Sequence, residues 1–150
     1  MGTRDLHIRA VPWGRKTGVN EVNQLTTLTQ IRPVEDVHVD HERLGALYTE
    51  MGHAGAEDVV CRAMEELALR MSHCDRLFRT ENYEELRKSS RSLIAIADQI
   101  GMHLVTRVAQ DVINCIDAGD RVALGATIAR LMRSGEGSLA AIWDLQDLTI

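Results

Sequence analysis

Val60, Met64, Leu67, Met71, Cys74 and Phe78 follow one another at steps of 4, 3, 4, 3 and 4 residues. On a helix that spacing draws one apolar line. The charged Glu65, Glu66, Arg70 and Arg76 fall off it. A long helix with one such line needs other elements to cover it, and the rest of the chain supplies them at the same period. HERLGALYTEM, ending at Gly52, reads as a short helix before the long one. Asn82 with Glu85 three residues on has the form of a capping box, so a further helix starts there and runs to Gly101. Val105, Val108, Val112 and Ile116 mark the next, which Gly119 ends. Asp120 stands where it caps the last. Leu124, Ile128, Leu131, Ile142 and Leu145 share one line if that helix continues through Gly135 and Gly137, each glycine costing on the order of 1 kcal/mol. Continuation is expected, with a kink as one way to achieve it.

Four long amphipathic helices with short connections pack as an up-down bundle. The expected fold is therefore all-α: a four-helix bundle over residues 37–150, with residues 38–51 as a leading helix covering one end. Aromatic residues are only 3% of the 150, so the core must be aliphatic. Residues 1–36 read differently. DLHIRAV alternates like a strand, VPWGRKTGVN carries turn residues, and LTTLTQI is Thr-rich and closed by Pro33. They form a non-helical arm, either a hairpin or a segment ordered only against a neighbour, and a swap onto a second copy would give a homodimer.

Charge and cysteine content narrow the function. The formal net charge is −5, yet residues 1–32 hold five of the 17 basic side chains and only two of the 22 acidic ones. The body is thus acidic, which argues against a nucleic-acid partner. Cys61, Cys74 and Cys115 match no zinc spacing and read as small buried hydrophobes of a reducing compartment. No apolar run approaches a membrane span, and no signal peptide is evident. A cytoplasmic location is the expectation.

The stretch LRKSSRSLIAIADQIGM, residues 86–102, changes character halfway. It opens as a basic, hydroxyl-rich helix surface and turns into LIAIA, apolar almost all round. TENYEELRKSSRSLIAIADQIG, followed 16 residues later by CIDAGDRVALGATIARL, resembles the histidine phosphotransfer (HPt) domains of bacterial phosphorelays over roughly residues 38–150. Their pattern is a turn of the type G-D-[WY]-x-x-L, a helix bearing A-H-x-L-K-G-S-(x)-x-x-L-G, and a second G-D before the last helix. The turn around Tyr83, Leu86, Gly101 and the Ala118-Gly119-Asp120 run match in place. Counting back from Gly101, the family's phosphoacceptor histidine falls on Arg91, its following leucine on Leu93, its lysine on Ile94 and its close-approach glycine on Ala95.

That register has a chemical consequence. Phosphotransfer needs an imidazole lone pair to attack an aspartyl phosphate. An arginine stays protonated and offers none, and Ile94 cannot neutralise a transferred phosphoryl group as a lysine would. The resemblance therefore implies a non-catalytic signalling protein that docks a response-regulator receiver domain, or a histidine-kinase domain, without carrying phosphate. Arg87, Lys88 and Arg91 lie at i, i+1 and i+4 on one helix face. With Ile94 and Ala95 they make up the expected partner surface. The alternatives are a solvated face on a purely structural or oligomerising bundle, or an active phosphotransfer protein using another histidine among His38, His41, His53, His73 and His103.

Other chemistry finds less support. Glu35–His38 and Glu50–His53 each have the E-x-x-H spacing of di-iron bundles, but they sit close in sequence at the front of the chain and lack inward glutamates on the long helices. GRKTG at 14–18 lacks the order of a phosphate-binding loop. The expectation is no metal, no cofactor and no enzymatic activity. Trp143, one step off Ile142, is expected to be half exposed and available to an interface.

Overall fold

A computed structural model of the chain describes residues 33–147. The arm's proposed hairpin, Trp13 and the 14–18 turn lie outside the described residues. Within them are four helices: α1 (His41–Arg79), α2 (Tyr83–Gln99), α3 (His103–Ala118) and α4 (Arg121–Asp147). The connections are residues 80–82, 100–102 and 119–120, too short for anything but antiparallel neighbours. Helix α1 packs on α2 and α4, α2 on α3, and α3 on α4, with no diagonal pair, so the helices stand at the corners of a square. The expected all-α up-down bundle is what forms. Among the described residues no helix is long and apolar enough to cross a membrane.

The core is the meeting line of the four apolar faces. Val60, Leu67, Met71 and Cys74 of α1 meet Leu86, Leu93 and Ala97 of α2. Val105, Val108 and Val112 of α3 and Leu124, Ile128, Leu131 and Ile142 of α4 close it. Each fully buried Leu or Ile contributes roughly 1.5–3 kcal/mol. Met64, Phe78 and Ile116, which the spacing put on these lines, are only partly buried, because a line at steps of 3 and 4 drifts off the contact seam.

The ends of the helices are built as their residues suggest. Asn82 Oδ1 accepts the Glu85 N–H at 3.3 Å, and Asp120 Oδ1 accepts the Ala123 N–H at 2.9 Å. Gly119 takes φ 69°, and the N–H of Asp120 reaches back to the Cys115 carbonyl at 3.1 Å. The reciprocal half of the Asn82 capping box is missing, since the Glu85 carboxylate turns to Lys88 instead.

Two features of the leading segment and α4 depend on glycine. α1 is broken at Gly52 (φ 74°, ψ 169°), so residues 41–51 form a separate leading helix, which starts three residues later than the expected 38–51 because Asp40 caps it. α4 runs unbroken through Gly135 and Gly137. A Cβ on Gly135 would overlap Met71 Sδ, and one on Gly137 would stand 2.9 Å from Val37 Cγ2. The glycines therefore weaken α4 locally but let α1 and the preceding residues approach it. Residues 34–39 form no helix or strand, and their exposure alternates, with Glu35, Val37 and Val39 the more covered. The partly buried Glu35 carboxylate accepts from Arg130 Nε (3.1 Å) and Arg133 Nη2 (2.9 Å) of α4, which hold it below the usual carboxylate range. These residues pack with the bundle, in the compact unit that begins at Val34.

Candidate docking surface on the second helix

Helix α2 is anchored from below. Leu86 and Leu93 fill the core, Ala97 continues their line, and Tyr83 at the first turn lies under the Arg121 guanidinium at 3.6 Å, tying the start of α2 to the start of α4. With that face fixed, the residues at 87, 88, 91 and 95 must point outward. Lys88, Arg91 and Ala95 are exposed, and Arg87 and Ile94 are half-buried at the flank. The five residues of the expected partner surface thus lie together on one side of α2.

They are not equivalent. Arg87 reaches across to α3 and grips Asp117 with two bonds, Nε to Oδ1 at 2.7 Å and Nη2 to Oδ2 at 3.1 Å. The pairing holds the Asp117 carboxyl low and raises the Arg87 guanidinium further. Lys88 is shared between Glu85 (2.7 Å) and Glu84 (3.2 Å), which raise its ammonium in turn. Arg91 stands exposed as the middle residue of the 17 in α2. Among the described residues it forms no hydrogen bond or ion pair, and its charge is felt only as a minor contribution to the low Asp117 carboxyl. Of the three cations on this face, it is the one whose hydrogen-bonding fork is uncommitted.

The two serines between these cations do not belong to the surface. Ser89 and Ser90 are buried, which corrects the reading of 86–92 as a hydroxyl-rich exterior. Their side chains occupy inward positions of α2. Ser89 Oγ lies 3.3 Å from Cys74 Sγ. Burial pushes the Cys74 thiol up, with the two serine hydroxyls pulling weakly the other way. The apolar second half of the helix is not buried all round, since Ala95 is exposed and Ile94 and Ile96 are only half covered. Cys61 is exposed and Cys115 partly so, against the expectation of three buried thiols; the first lies off the buried line of α1 and the second is on α3, facing Thr127 of α4.

The histidines are scattered. His38 faces Asp36, His53 faces Glu57, His73 Nδ1 accepts from Arg76, and His103 meets Asp40; none lies on α2. Glu35 of the first E-x-x-H unit is committed to arginines. No group of three or more His, Cys, Asp or Glu side chains placed to hold a metal ion occurs among the described residues. No known protein family, curated protein or solved structure matches the chain.

Proposed function

We propose that this chain is a non-catalytic, HPt-like signalling protein, which binds a receiver or histidine-kinase domain through the Arg91 face of α2 and carries no phosphate. The observation that carries this reading is Arg91 itself, an exposed and unpaired guanidinium at the centre of a helix whose flanking cations are neutralised. Such a group is ready to make bidentate, charge-assisted bonds to a carboxylate cluster, and a receiver domain presents one around its phosphoacceptor aspartate. Ala95 one turn on leaves room for a close approach. The two turns flanking α2 and α3 support the same register. Glu81 (φ 56°) and Gly119 (φ 69°) are both left-handed, and each is followed by a residue that caps the next helix. These are the places of the glycine and the aspartate in the two G-D turns of the resemblance.

The test has two arms. Purified receiver domains encoded near this chain's gene are titrated against the wild type and Arg91→Glu, and phosphorylated receivers are mixed with the wild type. Binding by the wild type, its loss in Arg91→Glu and no acid-labile phosphate on the chain are expected. Affinity unchanged in Arg91→Glu would overturn the docking surface. Phosphate on any histidine would overturn the non-catalytic reading.

One observation favours a second reading, an oligomerising bundle. Trp143 is 58% exposed and Val122 87% exposed on α4, and Leu69 is 68% exposed on α1. An exposed tryptophan of that kind anchors interfaces. A dimer by light scattering that Trp143→Ala dissociates would support it.

A further inference from the structure

The leading helix is joined to the molecule differently from the rest of α1. At Gly52 the backbone has φ 74° and ψ 169°, a combination open essentially to glycine alone. A Cβ there would meet nothing within 4 Å, so the backbone at the joint faces open space, and the contact across it is the edge-on stacking of Tyr48 on His53 at 5.5 Å. Burial changes at the same point. No residue of 41–51 is fully buried, and the first fully buried residue after the break is Ala56. Leu44 and Leu47 rest half-covered against the bundle, and Leu44 and Tyr48 border a cavity of about 210 Å³. His41, Leu44 and Tyr48 form one wall of it, and Val60 and Ile142 line the other. An unfilled gap forfeits dispersion contacts, so this helix is held by less than its length suggests.

Its far end is held by polar contacts. The Asp40 carboxylate accepts the Arg43 N–H at 2.8 Å and meets His103 Nε2, at the start of α3, at 2.7 Å. The Asp40 N–H also points to the Gly101 carbonyl at 3.4 Å. Gly101 (φ 75°) allows this approach, since a Cβ there would stand 2.7 Å from that of Asp40. Upstream, the chain is pinned again where Glu35 is gripped by Arg130 and Arg133.

We infer that residues 41–51 are a hinged lid, turning about Gly52 and latched by Asp40 on His103 and Gly101, which opens the apolar cavity at this end of the bundle while the four-helix core stays folded. The lid is tethered on both sides, by the Glu35 anchor and by the hinge, so it opens without leaving the molecule. Elements of this kind, with few buried contacts and exposed backbone bonds, open at free energies well below that of global unfolding.

Hydrogen–deuterium exchange on the full chain tests this. Amides of 41–51 are expected to exchange as one block, on the order of tenfold or more faster than those of 56–79, with a step at Gly52. In His103→Ala the block is expected to speed up several-fold while protection in 83–118 is unchanged. A smooth gradient of protection falling from residue 56 toward 41 would mean ordinary end-fraying and overturn the lid. Protection of 41–51 equal to that of 56–79 would overturn it too, as would an unaltered rate in His103→Ala.

Discussion

At Arg91 a single side chain carries the functional proposal, and its chemistry makes graded predictions. Arg91→Lys keeps the charge but loses the planar fork, so affinity for a receiver should fall by roughly tenfold; Arg91→Glu should abolish binding. Lys88→Ala should change little, because Lys88 is already neutralised by Glu84 and Glu85. Titration calorimetry reads all three. None should unfold the protein, since the α2 anchors are Leu86 and Leu93 on the opposite face. The thiols give a second residue-scale prediction. Cys61 should react with iodoacetamide in the native protein, while Cys74, buried and with its thiol pushed up, should react only on unfolding; mass spectrometry of labelled peptides checks this. Arg91 and its outward direction were legible in the sequence, because the apolar residues at 86, 93 and 97 fix which side of α2 is in. The different fates of Arg87, Lys88 and Arg91 were not, since Asp117 lies 30 residues from Arg87 along the chain. The buried serines were also missed: a serine reads as polar in any pattern, and only the proximity of α1 gives it an inward role.

Among the elements, α4 shows how a local penalty and a tertiary gain compete. Gly135 in mid-helix costs about 1 kcal/mol relative to alanine, yet Gly135→Ala would drive a Cβ into the buried Met71 side chain, an overpacking that costs about 1–3 kcal/mol. Gly135→Ala alone should therefore lose about 1 kcal/mol in urea unfolding. In a Met71→Ala background the same substitution should become neutral or stabilising, because the space is vacated and the propensity gain remains. The helix starts and stops at 52, 82, 101, 119 and 120 were readable, being written in single residues with one backbone role. Continuity through Gly135 and Gly137 could be expected from the line through Ile142. Its reason, the close approach of Met71 and Val37, needed coordinates. So did the inward turn of 34–39, whose alternation is too short to stand out.

Across the whole molecule, three carboxylates hold the periphery together: Glu35 ties the leading segment to α4, Asp117 ties α3 to α2, and Asp40 ties the leading segment to α3. Each is held below its ordinary range by a cationic or N–H partner. The groups facing them are Arg130 and Arg133, Arg87 with Arg91, and His103 with the Arg43 and Glu42 N–H groups. A carboxyl held low stabilises the fold fully above its unfolded value of about 4, and that stability is lost as the pH falls through the lower folded value. The arginine-held pairs of Glu35 and Asp117 should thus add nothing to any change in stability between pH 8 and 5, and their loss should begin below about pH 4. Unfolding midpoints followed across that range check this, with Arg130→Ala combined with Arg133→Ala removing the Glu35 share. The architecture was legible because its period repeats over four helices, whereas function rests on one position and its surroundings. The most direct test is therefore a map of that position in solution. Isotope-labelled protein titrated with a receiver domain that binds it should show amide shifts centred on Arg91, spreading to Arg87, Lys88, Ile94 and Ala95. Shifts confined to α1 and α4, around Leu69, Val122 or Trp143, would contradict the account.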